Sequence, residues 1–325
     1  MKRITNTAVV LAIVLLLSAV ACSRDPNVQK QEYFKSGNEY FEAEKYREAA
    51  IQFANAVQVD SNYVDARYRL AETYIRIGDV QRAFGELNRI VEIQPDHVRA
   101  QLDYGNLMLG ARQLDEAQKR AELVLEKDPN NADAHALAAN IAAAQQRHDE
   151  AKTHMLKAVE LDPKRWQLHH NLALIYANMR EYDASETELK TAIELSQNQA
   201  APYLSLATLQ EQRQRLPEAE AALRKAISVE SANIMARVAL ARFLVVRQRP
   251  EEAEQVMKQA KSDFKDNADG YPVLADFYTA TGQRDKALQE YASLFKEHPD
   301  NHRVSQNYAS MLIMNNQVDE AEKVV

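Results

Sequence analysis

The sequence predicts an all-α protein assembled from stacked helix pairs, and three observations predict it. From Lys30 onward the residues recur with a gap-free period of 34, in units beginning at Lys30, Val64, Val98, Ala132, Trp166, Ala200, Ile234, Ala268 and His302, so that residues 30–325 hold eight full units and a truncated ninth. Small residues keep fixed places in that frame. The eighth place holds Gly37, Ala71, Gly105, Ala139, Ala173, Ala207, Ala241, Ala275 and Ala309; the twentieth holds Ala49, Ala83, Ala117, Ala151, Ser185, Ala219, Ala253, Ala287 and Ala321. Residues kept this small mark close backbone approaches that a larger side chain would overpack. Third, no run alternates apolar and polar residues as a strand would, and glycine is scarce.

Ahead of the repeat, Lys2 and Arg3 precede the apolar run Ala8–Leu17, and Ser18-Ala19-Val20-Ala21 leads small residues up to Cys22. That is the layout of a secretory signal. Its end resembles a bacterial lipobox, with Ala19 where leucine is usual. The resemblance implies a signal peptide over residues 1–21, lipidation of Cys22, and a short tether over residues 22–29. The uncharged run from Ile4 to Ser23 is also near the length of a bilayer span, so an uncleaved signal anchor is the competing reading. Cys22 is the sole cysteine, which excludes a disulfide framework. Cleavage would take the net charge from −7 to −9, since Lys2 and Arg3 leave with the signal. Nucleic acid needs a basic stripe and is not expected as a partner. The expected location is the cell envelope, on a membrane-anchored lipoprotein facing the periplasm. Ser23 after the cysteine resembles the outer-membrane choice in a host with two membranes.

Each unit reads as two helices. In the second, Leu70, Ala71, Tyr74 and Ile75 fall at helical spacing within 66–77, Gly78-Asp79 turns the chain, and Ala83, Phe84, Leu87, Ile90 and Val91 repeat the spacing within 80–93. Gly78 and Gly282 share a place in the turn where a left-handed residue ends a helix. Pro95, Pro129, Pro163 and Pro299 share the thirty-second place, where proline stops the second helix. Ser61, Gln197, Ser231 and Lys265 stand there in other units and predict a weaker stop. Acidic pairs such as Asp149-Glu150 and Glu251-Glu252 begin second helices, at the positive end of the helix dipole.

These residues resemble the tetratricopeptide repeat, a 34-residue helix-turn-helix unit with small eighth and twentieth places and an aromatic near the eleventh. Tyr40, Tyr74, Tyr176 and Tyr278 hold the eleventh place, Met108, Leu244 and Leu312 substitute for them, and Ala142 and Gln210 depart. The twenty-fourth place is apolar throughout, from Phe53 and Leu87 to Tyr291 and Val325. With the front end, the whole resembles a bacterial tetratricopeptide-repeat lipoprotein, a group that includes factors for pilus, polysaccharide and outer-membrane assembly. The resemblance implies an α-solenoid: a right-handed superhelix of antiparallel helix pairs whose first helices line a concave face at their second, fifth, ninth and twelfth places. Carried over, these give a protein-binding groove with Phe34, Asn38, Phe41, Tyr68, Glu72, Leu102, Asn106, Asn140 and His170. An asparagine amide donates and accepts at once and can hold an extended peptide backbone. Phe34, Phe41, Tyr68 and Leu102 would seat apolar side chains. The competing reading makes the asparagines solvated surface residues and the aromatics packing between units. Arg99 and Arg242 are the only cations among the places considered, too few for a basic clamp on a terminal carboxylate. The alanine-rich unit Ala132–Arg165 predicts a shallow stretch of groove at Asn140.

Nothing in the sequence suggests catalysis. Phosphate-cradling glycine loops, metalloprotease His pairs and nucleophile elbows are absent, and no cofactor is implied. The eight histidines read as ordinary surface residues with no metal-ligand cluster. Pro299 separates His298 from His302, and the adjacent His169 and His170 should point apart. The expected protein is therefore a non-catalytic, envelope-anchored scaffold binding a protein or peptide segment in its groove, for secretion, pilus or polysaccharide assembly, with membrane contact through Cys22. Because Val325 falls midway through a second helix, the alternative is the partner-binding region of a longer envelope enzyme, a transferase or peptidase, with its catalytic domain beyond Val325.

Overall fold

The computed structural model describes residues 25–264, 270 and 272–324. The expected signal peptide, Cys22, Lys265, the expected unit start Ala268, and Val325 lie outside the described residues. Eighteen helices are present among the described residues, and none of them is long and apolar enough to cross a membrane. The chain divides into two compact units, Met1–Leu161 and Asp162–Val325.

The first unit holds α1 (Pro26–Glu42), α2 (Tyr46–Val59), α3 (Val64–Arg76), α4 (Val80–Ile93), α5 (Val98–Gly110), α6 (Leu114–Lys127), α7 (Ala132–Ala144) and α8 (His148–Leu161). Within this unit consecutive helices pack on one another, and α5 also meets α7. The second unit holds α9 (Trp166–Asn178), α10 (Tyr182–Ser196), α11 (Ala200–Gln212), α12 (Leu216–Val229), α13 (Ile234–Val246), α14 (Pro250–Asp263), α15 (Val273–Ala280), α16 (Arg284–Glu297), α17 (His302–Met314) and α18 (Val318–Ala321). Its helices pack in the same sequential way, with added contacts of α11 to α9 and to α13. Two helix starts differ from the 34-residue frame. Asp25 accepts a hydrogen bond from the Asn27 amide and Pro26 sits at the first helical position, so α1 begins within the expected tether. The first helix of the eighth repeat begins only at Val273.

The small places are where the helices touch. All nine residues at the twentieth place are buried, as are all nine at the eighth. A Cβ on Gly37 would stand 2.6 Å from the Phe53 ring, and one on Gly105 would stand 2.6 Å from a Leu137 methyl. The exception at the twentieth place is also explained: the Ser185 hydroxyl donates to the Ala173 carbonyl at the eighth place of its own repeat, 2.8 Å away, so no polar atom is stranded.

The turn between paired helices has one geometry throughout. The fifteenth place is left-handed in every repeat: Gly78 and Gly282 at φ 79° and 73°, but also Glu44, Arg112, Gln146, Arg180, Gln214, Gln248 and Asn316 at 58–62°. The following amide donates back to the eleventh-place carbonyl, as from Lys45 to Tyr40 or Gln113 to Met108, closing the helix end. Glycine is therefore dispensable here, at the strain cost a β-carbon brings. At the thirty-second place proline is also dispensable: α2 and α12 stop on schedule before Ser61 and Ser231. Among the described residues at this place, only Gln197 fails to stop the helix in time. There α10 runs on to Ser196, and Gln197 (φ 54°, ψ −59°) closes a tight turn in which Asn198 donates to Ser196 at 2.6 Å.

A second recurrent device was not anticipated. The fourth-place side chain reaches back to the thirty-second-place carbonyl of the preceding repeat: Arg67 to Ser61 (2.8 Å), Gln101 to Pro95 (2.7 Å), His135 to Pro129 (3.0 Å), His169 to Pro163 (3.0 Å) and Arg237 to Ser231 (3.1 Å). These carbonyls lie past a helix end and have lost their helical donors. The same side chain usually meets the twenty-third place of its own repeat as well: Arg67 with Glu86, Gln101 with Arg120, His135 with His154 and His169 with Glu188. This corrects the surface reading of the histidines, because His169 is only 8% exposed and His135 and His154 bind each other. His298 and His302 do not share a helix: His298 caps the end of α16 and His302 begins α17.

Candidate peptide-binding groove

In the first unit, the inner helices α3, α5 and α7 bring Tyr68, Arg99, Leu102, Asp103, Asn106, Asp133, Ala136, Leu137 and Asn140 around one pocket of about 310 Å³. Seven of these nine occupy the second, fifth or ninth places. Asp103 and Leu137 sit at the sixth place, which the carried-over pattern omits. Tyr68 donates its hydroxyl to Asp103 at 2.7 Å and stacks on His97 with ring centroids 5.2 Å apart. Burial first, and then the Asp103 carboxylate, push the Tyr68 hydroxyl far above its ordinary range. Burial also raises the Asp103 carboxyl; the Tyr68 hydrogen bond opposes this, and the nearby Glu72 and Asp133 carboxylates add to it. Leu102 is buried in the floor, Asn106 is exposed, and Asn140 is half-buried on the alanine-rich α7. The pocket thus combines an apolar floor, two amides and a desolvated carboxylate, and would favour a cationic or hydrogen-bond-donating segment.

The α1 candidates stand elsewhere. Phe34 packs on Phe53 and Tyr63 with centroids 5.8 and 5.2 Å away, and Phe41 lies against Tyr46 and beneath the Arg69 guanidinium at 4.0 Å. The amide of Asn38 is already engaged, donating to the Phe34 carbonyl at 3.0 Å and accepting from Arg69 Nε at 2.9 Å. Arg69 also pairs with Glu72 at 3.0 Å. For these three residues, and for Glu72 on α3, the packing account describes the geometry better than an open groove does.

The second unit has its own pocket of about 390 Å³ between α9, α10 and α11, lined by Leu174, Ala177, Asn178, Ser185, Leu189, Leu204, Ser205, Thr208, Leu209 and Gln212. His170 stands beside it, with Nε2 2.8 Å from the Ser205 hydroxyl, and burial lowers its imidazole below the ordinary range. On α13, Met235 is 67% exposed and Val238 38%. Ser205 again holds the sixth place, reached from the fifth place of the preceding repeat just as Asp103 is reached from Tyr68. Among the described residues no group of three or more His, Cys, Asp or Glu is placed to hold a metal ion.

Models of the tetratricopeptide repeat match residues 40–96, 78–141, 211–277 and 278–325, and a second such model matches 132–165 and 167–199. Over 92 residues the chain is 29% identical to DnaJ homolog subfamily C member 3 of Bos taurus, a match covering 28% of this chain and 18% of that protein. The chain therefore spans less than a fifth of that relative's length. Among solved structures it is similar to a thermophilic tetratricopeptide-repeat protein of Thermus thermophilus, with 21% identity, a TM-score of 0.53, and coverage of 56% of this chain and 99% of that one. It is also similar to pilF of Pseudomonas aeruginosa, with 20% identity, a TM-score of 0.49, and coverage of 67% and 97%.

Proposed function

The chain belongs to the tetratricopeptide-repeat family, and on that footing we propose that it is a non-catalytic scaffold that binds an extended protein segment along its inner helices. The observation that carries this reading is the first-unit pocket, where Tyr68, Leu102, Asp103, Asn106 and Asn140 converge on about 310 Å³. Amides at the ninth places of two successive repeats can hold a peptide backbone, and Asp103 beside them suits a lysine or arginine side chain. The front segment supports a finer reading: cleavage before Cys22, lipidation there, and a scaffold held at the envelope facing the periplasm, on the outer membrane where the host has two. Its task would be secretion, pilus or polysaccharide assembly.

The test places a photo-crosslinking residue at Ala136, captures the bound protein in cells, and measures its affinity for the full chain with Asn106 and Asn140 changed together to alanine. Affinity should fall about tenfold, as expected for two lost hydrogen bonds. Unchanged affinity with intact helicity would overturn the groove assignment. For the anchor, the wild type should take up a fatty-acid probe and be cleaved before Cys22, and Cys22→Ser should lose both label and cleavage; a wild type that is membrane-bound but unlabelled and uncleaved would point to a signal anchor.

A further inference from the structure

His135 on α7 and His154 on α8 face each other Nδ1 to Nδ1 at 3.0 Å, with ring centroids 5.2 Å apart. The other nitrogen of His135 meets the Pro129 carbonyl at 3.0 Å. A carbonyl only accepts, so His135 Nε2 carries a hydrogen and Nδ1 of the neutral ring is a lone pair. The bond between the rings therefore requires the hydrogen of His154 on its Nδ1. A first added proton can settle on His154 Nε2 and leave that bond intact. A second must enter at His135 Nδ1, setting two N–H groups and two positive rings head to head.

We propose that this pair is an acid-sensitive latch, which holds α7 to α8 and to the Pro129 loop at neutral pH and releases when both rings are protonated. The four other fourth-place residues that hold a preceding carbonyl are paired differently. The partners of Arg67 and His169 are the carboxylates of Glu86 and Glu188, that of Gln101 is Arg120, and that of Arg237 is Asp263. At His169 both ring nitrogens face oxygen acceptors, so an added proton meets an acceptor there instead of another N–H.

The surroundings do not cancel the effect. Glu122 of α6, Arg147 just before α8 and Glu150 of α8 share a small pocket with His154, while Lys157 and Glu160 of α8 line a more open one with both histidines. Asp128 in the preceding loop is taken up by Asn130 and Asn131. Arg99 and Asp103 of α5, with Asp133 of α7, line the groove pocket, which neither histidine lines. Burial lowers the His154 imidazole, and the His135 charge lowers it further; Glu150 opposes this and Arg147 reinforces it. For His154, a folded-state value below the unfolded one means that the stability contributed by the neutral ring is present above about pH 6.5, the ordinary imidazole value, and is lost as pH falls through the folded-state value.

The test is hydrogen exchange of the full-length protein at pH 7.5 and 5.0, corrected for intrinsic rates, alongside nitrogen NMR of the imidazoles. Protection in α8 should fall about five- to tenfold at the lower pH, the equivalent of one lost hydrogen bond, while α10 serves as the internal control. His154→Gln supplies an amide donor that does not titrate, and His154→Glu reproduces the His169–Glu188 arrangement; each should abolish the acid effect on α8. Equal losses in α8 and α10 of the wild type, or an undiminished loss in either variant, would overturn the latch. Should one variant fail to fold, the other and the wild-type NMR titration still decide.

Discussion

In the first unit the groove pocket is closed by a half-buried carboxylate and two amides; in the second, Leu174 and Thr208 take the ninth places that Asn106 and Asn140 hold, and Leu204 takes the fifth place held by Ala136. The backbone framework beneath the two pockets is the same: a small eighth place, a small twentieth place and a left-handed fifteenth. The difference teaches that the repeat fixes where side chains meet while leaving the lining free, so one array can offer charge-dependent recognition in one unit and mainly apolar recognition in the other. Binding at the first pocket should weaken with added salt, and binding at the second should not.

The largest effects should come from the shared framework. Ala151→Leu in the first unit and Ala219→Leu in the second should each cost about 1–3 kcal/mol by overpacking, measured by urea unfolding. A cost confined to one unit would break the claim of a common frame. Next come the turns, where nothing lies within 4 Å of a β-carbon added at Gly282, so that strain alone decides. Gly282→Ala should cost about 1 kcal/mol, while Gln146→Gly in the first unit should gain about 0.5 kcal/mol once the greater freedom of unfolded glycine is subtracted. Equal signs for the two changes in thermal melts would show that the turns differ after all.

The smallest effect separates the pockets themselves. Asp103, whose carboxyl is raised by burial, binds its proton more readily folded than unfolded. Its charge therefore costs stability near neutral pH, and the cost is relieved as pH falls through the folded-state value. Asp103→Asn, which still accepts from Tyr68, should add about 0.5 kcal/mol at pH 7 and flatten the stability profile on the acid side; this modest figure allows for partial exposure of the site. A variant profile as steep as the wild type's would remove Asp103 from the account.

The frame and the small places were legible because close backbone approach is a steric demand that few residue types can meet, whatever their surroundings. The turn was legible at Gly78 and Gly282 only, since Arg112 or Gln146 in a left-handed conformation carries no signature of its own. The sixth-place lining by Asp103, Leu137 and Ser205 was missed because it depends on the offset between successive inner helices, a relation that no single repeat contains. The fourth-place donors were missed for another reason: Arg67, Gln101, His135, His169 and Arg237 share a role and not a residue type. A search for hydrogen-bond donors at that place, with partners 19 residues on, could have found four of them. It would also have warned that His169 is buried. Asn38 shows the limit from the other side, because its place matched the groove while Arg69, a neighbour in space, had claimed it.

The fourth-place bonds bear on how these repeats would carry mechanical load. Each ties a helix to the carbonyl just before it in the preceding repeat, so a pull along the chain is shared between covalent backbone and side chain at that junction. The junction after Ser196 has Tyr203 at the fourth place and, among the described residues, is not one of the five so tied; it also follows the one second helix that overruns its stop. Ser305 after Pro299 is likewise outside the five, but its junction follows a helix that stops on schedule, so among the described junctions of the second unit extension under tension would begin after Ser196, while the tied junctions on either side stay stiff.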